Sequence, residues 1–128
     1  FHPWYARAIA KYVLESARAS DSKGPLSVIE IGGGNGTFAM GFLECVKELN
    51  EEVYKKIKYE MIELSPALAG KQKERVCAAH PCAKVTEGDA SLLLRKRGEE
   101  AQARCGAKAG DKGFEVLIGL EVLDNMPH

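Results

Sequence analysis

No stretch of this chain is apolar for anything near the roughly 20 residues that a bilayer crossing needs, and no signal or transit segment is legible in it, so no membrane insertion is expected. Net charge is missing as well. Eighteen Lys and Arg cancel eighteen Asp and Glu, which removes the long-range positive field on which nucleic-acid binding usually depends, and no nucleic-acid partner is expected. Cysteine is sparse: Cys45, Cys77, Cys82 and Cys105 have neither the density nor the paired spacing of a secreted disulfide framework, and a reducing interior is the default. Internal repeats and low-complexity tracts are also wanting. The chain opens on Phe1 rather than Met and reads as a piece of something longer.

What is present suits one α/β domain, since 128 residues with 45% apolar content can bury an ordinary core. Trp4, Ala8, Ile9, Tyr12 and Val13 fall at the spacing of one helix face and predict a first helix over about residues 3 to 18. Leu26 to Ile31 reads as a short buried strand. A glycine turn follows, and then a helix with Phe38, Ala39, Phe42, Leu43, Val46 and Leu49 on one side, weakened by Gly41. A charged stretch at 50 to 58 leads to a second strand, Tyr59 to Leu64. Ser65-Pro66 is an N-cap and first-turn signal for a helix to about Cys77. Ala83 to Glu87 reads as a third strand, Ser91 to about Arg104 as a helix, and Phe114 to Leu120 as a fourth strand. Strands separated by helical crossovers predict a doubly wound, mostly parallel sheet, with the ligand crevice at the carboxyl ends of its strands.

The turn Val28-Ile-Glu-Ile-Gly-Gly-Gly-Asn-Gly-Thr37 is the most informative segment. Gly32, Gly34 and Gly36, with Gly33 among them, allow positive φ and let a ligand reach the main chain without meeting a Cβ. Their spacing is G-x-G-x-G. A dinucleotide fold wants G-x-G-x-x-G, and Thr37 occupies the sixth position, so the third glycine comes one residue early. Glu30, near the strand end, places a carboxylate where a cationic ligand could be met. These features fit S-adenosylmethionine better than NAD.

Acids recur at the ends of the other expected strands: Glu63, Asp89, then Glu121 with Asp124. A carboxylate after the second strand can accept both hydroxyls of a ribose, and one after the third can accept an adenine amino group, which makes Glu63 and Asp89, with Leu64 and Ala90 beside them, candidate cofactor contacts. The bland alternative is that such acids are solvated loop residues. Glu121 and Asp124 are three apart, so on a helical turn they share a face and could grip one guanidinium; otherwise they only cap the turn before Pro127. Cys77, His80 and Cys82 resemble part of a zinc site but lack a fourth ligand, and no metal is expected. Trp4 and Tyr5 either cover the cofactor entrance or pack in the core. Arg95, Lys96 and Arg97 read as a solvated helix face.

Three blocks together carry a resemblance. Val28 to Thr37, Tyr59-Glu-Met-Ile-Glu-Leu-Ser-Pro-Ala-Leu68 with Gln72, and Glu121-Val-Leu-Asp-Asn-Met-Pro-His128 look like the MidA-type methyltransferases, the family that includes the mitochondrial complex I assembly factor. The Phe1-His-Pro-Trp-Tyr5 opening is similar too. The resemblance implies a Rossmann-like methyltransferase fold of seven strands, of which residues 1–128 form the N-terminal part of a single domain. It also implies S-adenosylmethionine as donor, methylation of protein arginine, a link to complex I assembly and a mitochondrial address. Leu120 stands where the family often has asparagine, and Asn125 where it often has a small residue, so Glu121, Asp124 and Pro127 carry over but the family's substrate does not follow automatically. Two alternatives stay open: a non-catalytic assembly or interaction protein that retains the cofactor fold, and a nucleotide-binding oxidoreductase, which Thr37 and Glu30 disfavour.

Overall fold

The structure, a computed structural model, describes residues 3–20, 24–32, 34–103 and 115–118. In chain order these form α1 (Pro3–Ala19), β1 (Ser27–Ile31), α2 (Thr37–Leu49), α3 (Glu51–Lys56), β2 (Lys58–Glu63), α4 (Pro66–Gln72), a π-helical turn (Lys73–Cys77), β3 (Ala83–Glu87), α5 (Ala90–Ala103) and β4 (Glu115–Ile118). All described strands run parallel in the order β3-β2-β1-β4. The chain winds outward from β1 through β2 to β3 and then returns to the other side of β1. Right-handed crossovers therefore put α2 and α4 on one face and α5 on the opposite one. The contacts agree: Gly36 at the start of α2 faces Val76 just after α4, while Arg97 of α5 bonds Glu60 on β2. This is the doubly wound α/β architecture expected from the sequence.

Burial of alternate residues on β1 and of five consecutive residues on β2 fixes the core. Val28 on β1 and Tyr59 and Met61 on β2 meet Phe38, Ala39, Phe42, Leu43 and Val46 of α2, with Ile57, Val76 and Ile118 around them. The rings of Phe38, Phe42 and Tyr59 stack in sequence at centroid separations of 5.8 and 5.7 Å. Each such side chain, removed from water, contributes about 1.5–3 kcal/mol. Leu49, expected on this face, lies at the helix end and stays more than a third exposed.

The first helix exists where the sequence places it, but it turns a different face inward. Ala6, Ala10 and Val13 are buried, Ile9, Leu14 and Ala17 are partly so, and Tyr12 is 70% exposed. Close approach to α2 is the reason. A Cβ added to Gly41 would lie 3.0 Å from the Cβ of Ala6. The seam between α1 and α2 is thus lined with small side chains. Gly41 weakens α2 as an isolated helix yet permits this contact.

The charged stretch at 50 to 58 contains a helix that periodicity did not reveal. The Asn50 side chain accepts from the Val53 N–H at 3.2 Å, Glu51 and Glu52 occupy the first turn, and Lys55 and Lys56 the last. Charges matched to the helix dipole, rather than an apolar face, account for α3. Capping also starts α4, where Ser65 accepts from Leu68 N–H at 3.3 Å and Pro66 opens the first turn.

Cys77, His80 and Cys82 do not assemble a ligand cluster; among the described residues no three such side chains converge as a metal site would require. His80 instead pairs through Nδ1 with the Tyr54 hydroxyl at 2.6 Å, and its Nε2 is buried without a partner. Burial holds its pKa below the ordinary imidazole value, opposed by Glu44 and reinforced by Lys47. The folded protein then binds a proton less readily than the unfolded chain. Stability from this source is complete above about pH 6.5 and falls as the pH drops below it. Urea denaturation at pH 7.5 and 5.5 should show this loss, and His80→Gln should flatten the part of the slope that lies in this window.

Candidate functional site

Backbone hydrogen bonds continue the sheet past its last regular residues. Gly32 N–H donates to the Ile62 carbonyl at 3.2 Å, and Gly88 N–H donates to the Glu63 carbonyl at 2.9 Å. The loops leaving β1, β2 and β3 are therefore held edge to edge at one end of the sheet, beside the β1–β4 pair where the strand order reverses. In a parallel α/β fold that end, at that reversal, is where ligands bind.

Gly32, Gly34 and Gly36 have φ of 66°, 56° and 83°. The loop is thus a run of left-handed turns that side chains resist, as the motif predicted. Gly36 answers why the third glycine comes early. A Cβ there would sit 2.6 Å from Cγ2 of Val76 in the π-helical turn, so this glycine is required by close packing between the loop and the α4 region. Gly36 offers α2 no side-chain cap, and the first N–H groups of that helix are left for solvent or a ligand. Gly33 lies outside the described residues.

Glu63 is buried, at 6% exposure, with Oε1 accepting from Gln72 Nε2 at 2.9 Å and Oε2 accepting from Ser65 N–H at 3.1 Å. One bond to each oxygen fixes the plane of the carboxylate and leaves further lone pairs for other donors. Leu64 follows it at 72% exposure, presenting an apolar surface next to the acid.

A family model of S-adenosyl-L-methionine-dependent methyltransferases matches residues 8–128. The chain belongs to this family. S-Adenosylmethionine is accordingly the family's methyl donor, and the MidA-type resemblance read from the blocks is borne out. Among curated proteins the chain is 24% identical, over 96% of its length, to the Drosophila melanogaster "Protein arginine methyltransferase NDUFAF7 homolog, mitochondrial", of which it spans 28%. Among solved structures it resembles a Burkholderia thailandensis protein crystallised with S-adenosyl-homocysteine, at 24% identity and a TM-score of 0.53, covering 68% of this chain and 22% of that one. A native crystal structure of an uncharacterised protein of the same superfamily and organism gives 27% identity and the same TM-score, over 68% and 23% of the two chains. The chain therefore spans about a quarter of the length of these relatives.

Within the methyltransferase fold the other candidate residues have diverse surroundings. Glu30 points into the face shared with Val28 and is 2% exposed, its Oε1 accepting from the Tyr59 hydroxyl at 2.8 Å. Burial, and then the carboxylate itself, push the Tyr59 pKa well up, so the phenol remains a donor. Sequence reading placed Glu30 at the turn, in reach of a ligand; in the structure its carboxylate is buried and engaged by the Tyr59 hydroxyl. Asp89 caps α5: its Oδ1 accepts from the Ser91 hydroxyl at 2.6 Å and from the Ser91 and Leu92 N–H groups at 2.9 and 3.4 Å. The Ser91 hydroxyl and these amides lower its pKa. Asp89 thus has a structural duty at the mouth of the third strand, and Ala90 is the first residue of the helix it caps. Glu121 and Asp124 lie outside the described residues. So does the side chain of Trp4, whereas the Tyr5 ring meets Phe38 edge-on at 6.4 Å.

Two tertiary contacts, the first of them away from the site, escaped the sequence reading. Arg97 is no member of a solvated basic face: it grips Glu60 with Nη1 to Oε1 at 2.6 Å and Nη2 to Oε2 at 2.7 Å. The other is the hydrogen bonding of Gln72, which belonged to a recognised block but had no assigned contact. Glu60 lies 37 residues from Arg97 and Gly34 lies 38 from Gln72, and no spacing rule links them.

Proposed function

We propose that this chain forms the S-adenosylmethionine-binding part of a protein methyltransferase whose acceptor is arginine. One observation carries the reading: the glycine loop, the fixed carboxylate of Glu63 and the capped Gly88–Asp89 turn are tied together at the carboxyl ends of adjacent strands. The site fits the cofactor chemically. Bare main chain at Gly32, Gly33, Gly34 and Gly36 admits the donor's amino-acid portion, and Glu30 supplies charge opposite its ammonium group. Glu63 accepts from the ribose hydroxyls, Leu64 lies against the base, and Asp89 with Ala90 meets the adenine edge.

The bound donor supplies a methyl group on a sulfonium, transferable by in-line displacement without a metal. The protein's task is placement, and holding the acceptor in near-attack geometry is worth about 7–11 kcal/mol of barrier. Glu121 and Asp124 are assigned to that task as a pair of acceptors for one guanidinium. The Drosophila relative's name supports arginine as acceptor and a mitochondrial setting, and the MidA-type resemblance supports a complex I subunit as the substrate. Leu120 and Asn125 favour a second reading, a non-catalytic assembly protein that keeps the cofactor fold.

Calorimetric titration of the protein with S-adenosylmethionine, S-adenosylhomocysteine and NAD should show binding of the first two only. Gly34→Val places a branched side chain at φ 56° in the loop and should weaken that binding by more than 100-fold. Equal affinity in the variant, or a preference for NAD, would sink the cofactor assignment. Radiolabelled methyl transfer to mitochondrial extract by the full-length protein separates enzyme from scaffold.

A further inference from the structure

Gln72, the last residue of α4, is fully buried. Its amide nitrogen donates to two acceptors, the Gly34 carbonyl at 2.8 Å and Glu63 Oε1 at 2.9 Å. Its Oε1 is buried with no partner. That combination fixes which way the amide faces. Turning it over would aim the oxygen at a carbonyl and a carboxylate and forfeit both bonds, so the cost of an unpaired acceptor is tolerated in order to donate twice.

We infer that Gln72 is a positioning residue that couples the glycine loop to Glu63, so that main chain and ribose-binding carboxylate are set by one side chain. The inference builds on the cofactor reading above. On the carboxylate side, Gln72 and Ser65 N–H take one bond on each oxygen and leave the remaining lone pairs at fixed directions, which suits a vicinal diol. On the loop side, holding the Gly34 carbonyl toward Gln72 directs the N–H of the same planar peptide, that of Asn35, the opposite way. The π-helical turn begins at the next residue and adds a second hold: Arg75 Nη1 donates to the Asn35 carbonyl at 3.4 Å and to the Thr37 hydroxyl at 3.3 Å. A π turn shifts side chains out of the ordinary helical register and is frequent at functional sites. Here Gln72, Val76 and Arg75 all contact the glycine loop or its flank.

The test compares Gln72→Met, which keeps the volume beside Gly36 and removes both donors, with the parent in the full-length protein. The ligands are 5′-methylthioadenosine and its 2′-deoxy analogue. Coupling through Glu63 predicts that the variant binds the ribose ligand about tenfold more weakly and the deoxy ligand almost as well as the parent does. Combining Gln72→Met with Glu63→Ala should cost no more than Glu63→Ala alone. Equal losses for both ligands, or strictly additive losses, would overturn the inference and leave Gln72 a packing residue. Hydrogen exchange on the ligand-free protein reads the latch separately. Amides of residues 34–37 and 65 should exchange at least tenfold faster in Gln72→Met while those of α2 beyond its first turn are unchanged. Unaltered exchange would likewise overturn it. If the parent bound neither adenosine ligand, the cofactor reading would fail, and the exchange result would still decide whether Gln72 holds the loop.

Discussion

Gly36→Ala should unfold the protein at a markedly lower temperature, because the new Cβ meets Val76 Cγ2 at 2.6 Å and the residue must keep φ at 83°. The backbone conformation alone costs a non-glycine residue about 1–2 kcal/mol, and displacing a buried valine of the π-helical turn adds a similar amount. A total of about 3 kcal/mol corresponds to a fall in Tm of about 10 °C for a domain of this size. Val76→Ala removes the offending methyl, so the double variant should be less destabilised than the sum of the single ones by about 1 kcal/mol or more. Thermal melts of the four proteins check this. Additivity would mean that the loop and the turn yield independently and that the early glycine serves the ligand alone. The link to function is direct, since the strained loop is also the loop proposed to carry the cofactor.

Arg97→Met should produce the second large effect, with an unusual dependence on pH. Glu60 is on a central strand with its side chain 9% exposed, while that of Arg97 is 40% exposed. Removing the guanidinium leaves a carboxylate held by the Thr86 hydroxyl and, at 4.0 Å, by Lys84. Breaking a fully buried pair costs about 3–5 kcal/mol, and partial exposure of the arginine reduces the expectation here to about 2 kcal/mol. Hydrogen bonding from Arg97 is the leading reason that the Glu60 pKa lies below its ordinary value near 4.5, against the opposing effect of burial. In the parent this contribution is present above that value and disappears as the pH falls through the folded one. In the variant burial dominates, the folded value rises, and protonation relieves the exposed penalty of the orphaned charge. The stability gap between parent and Arg97→Met should therefore begin to narrow above about pH 4.5, at the raised value of the variant, and go on narrowing until the pH has passed the parent's lowered value. Denaturant unfolding across pH 3 to 7 measures it, and a gap that stays constant would rule out the ion pair as its source. Because the pair fastens α5 over the sheet, its loss also loosens the helix that Asp89 caps.

Much of this organisation is written locally. Ser65 and Pro66 start α4 because a hydroxyl cap and a pre-set φ act within one turn, and the short run Lys58–Glu63, with Tyr59, Met61 and Ile62 apolar, has the length and composition of a buried strand. The glycine loop is legible for the same reason, since positive φ is a property of single residues. The face of α1 was misread because Tyr12 and Ala8 satisfy a helical period as well as Ala6 and Ala10 do. Only the distance of α2 decides that small side chains go inward. Helix α3 was missed because its stabilisation comes from caps and charge order, without an apolar stripe.

The cofactor candidates divide along the same line. That acids follow the strands is a statement about order in the chain, and it identified Glu63 and Asp89. Which of their oxygens are already engaged depends on how the following turns fold back, since Ser65 and Ser91 lie two residues beyond their acids and Gln72 nine residues beyond Glu63. By itself the sequence determined the α/β order of elements, the left-handed glycine loop and the methyltransferase family, because each is encoded by residue type and near-neighbour spacing. The tertiary structure alone decided that Gly36 is needed for Val76, that Arg97 answers Glu60, and that one amide joins the loop to the acid. The contacts of Gly36 with Val76, Arg97 with Glu60 and Gln72 with Gly34 span 37 to 40 residues, set by how helices settle on a twisted parallel sheet, and no short-range periodicity records them.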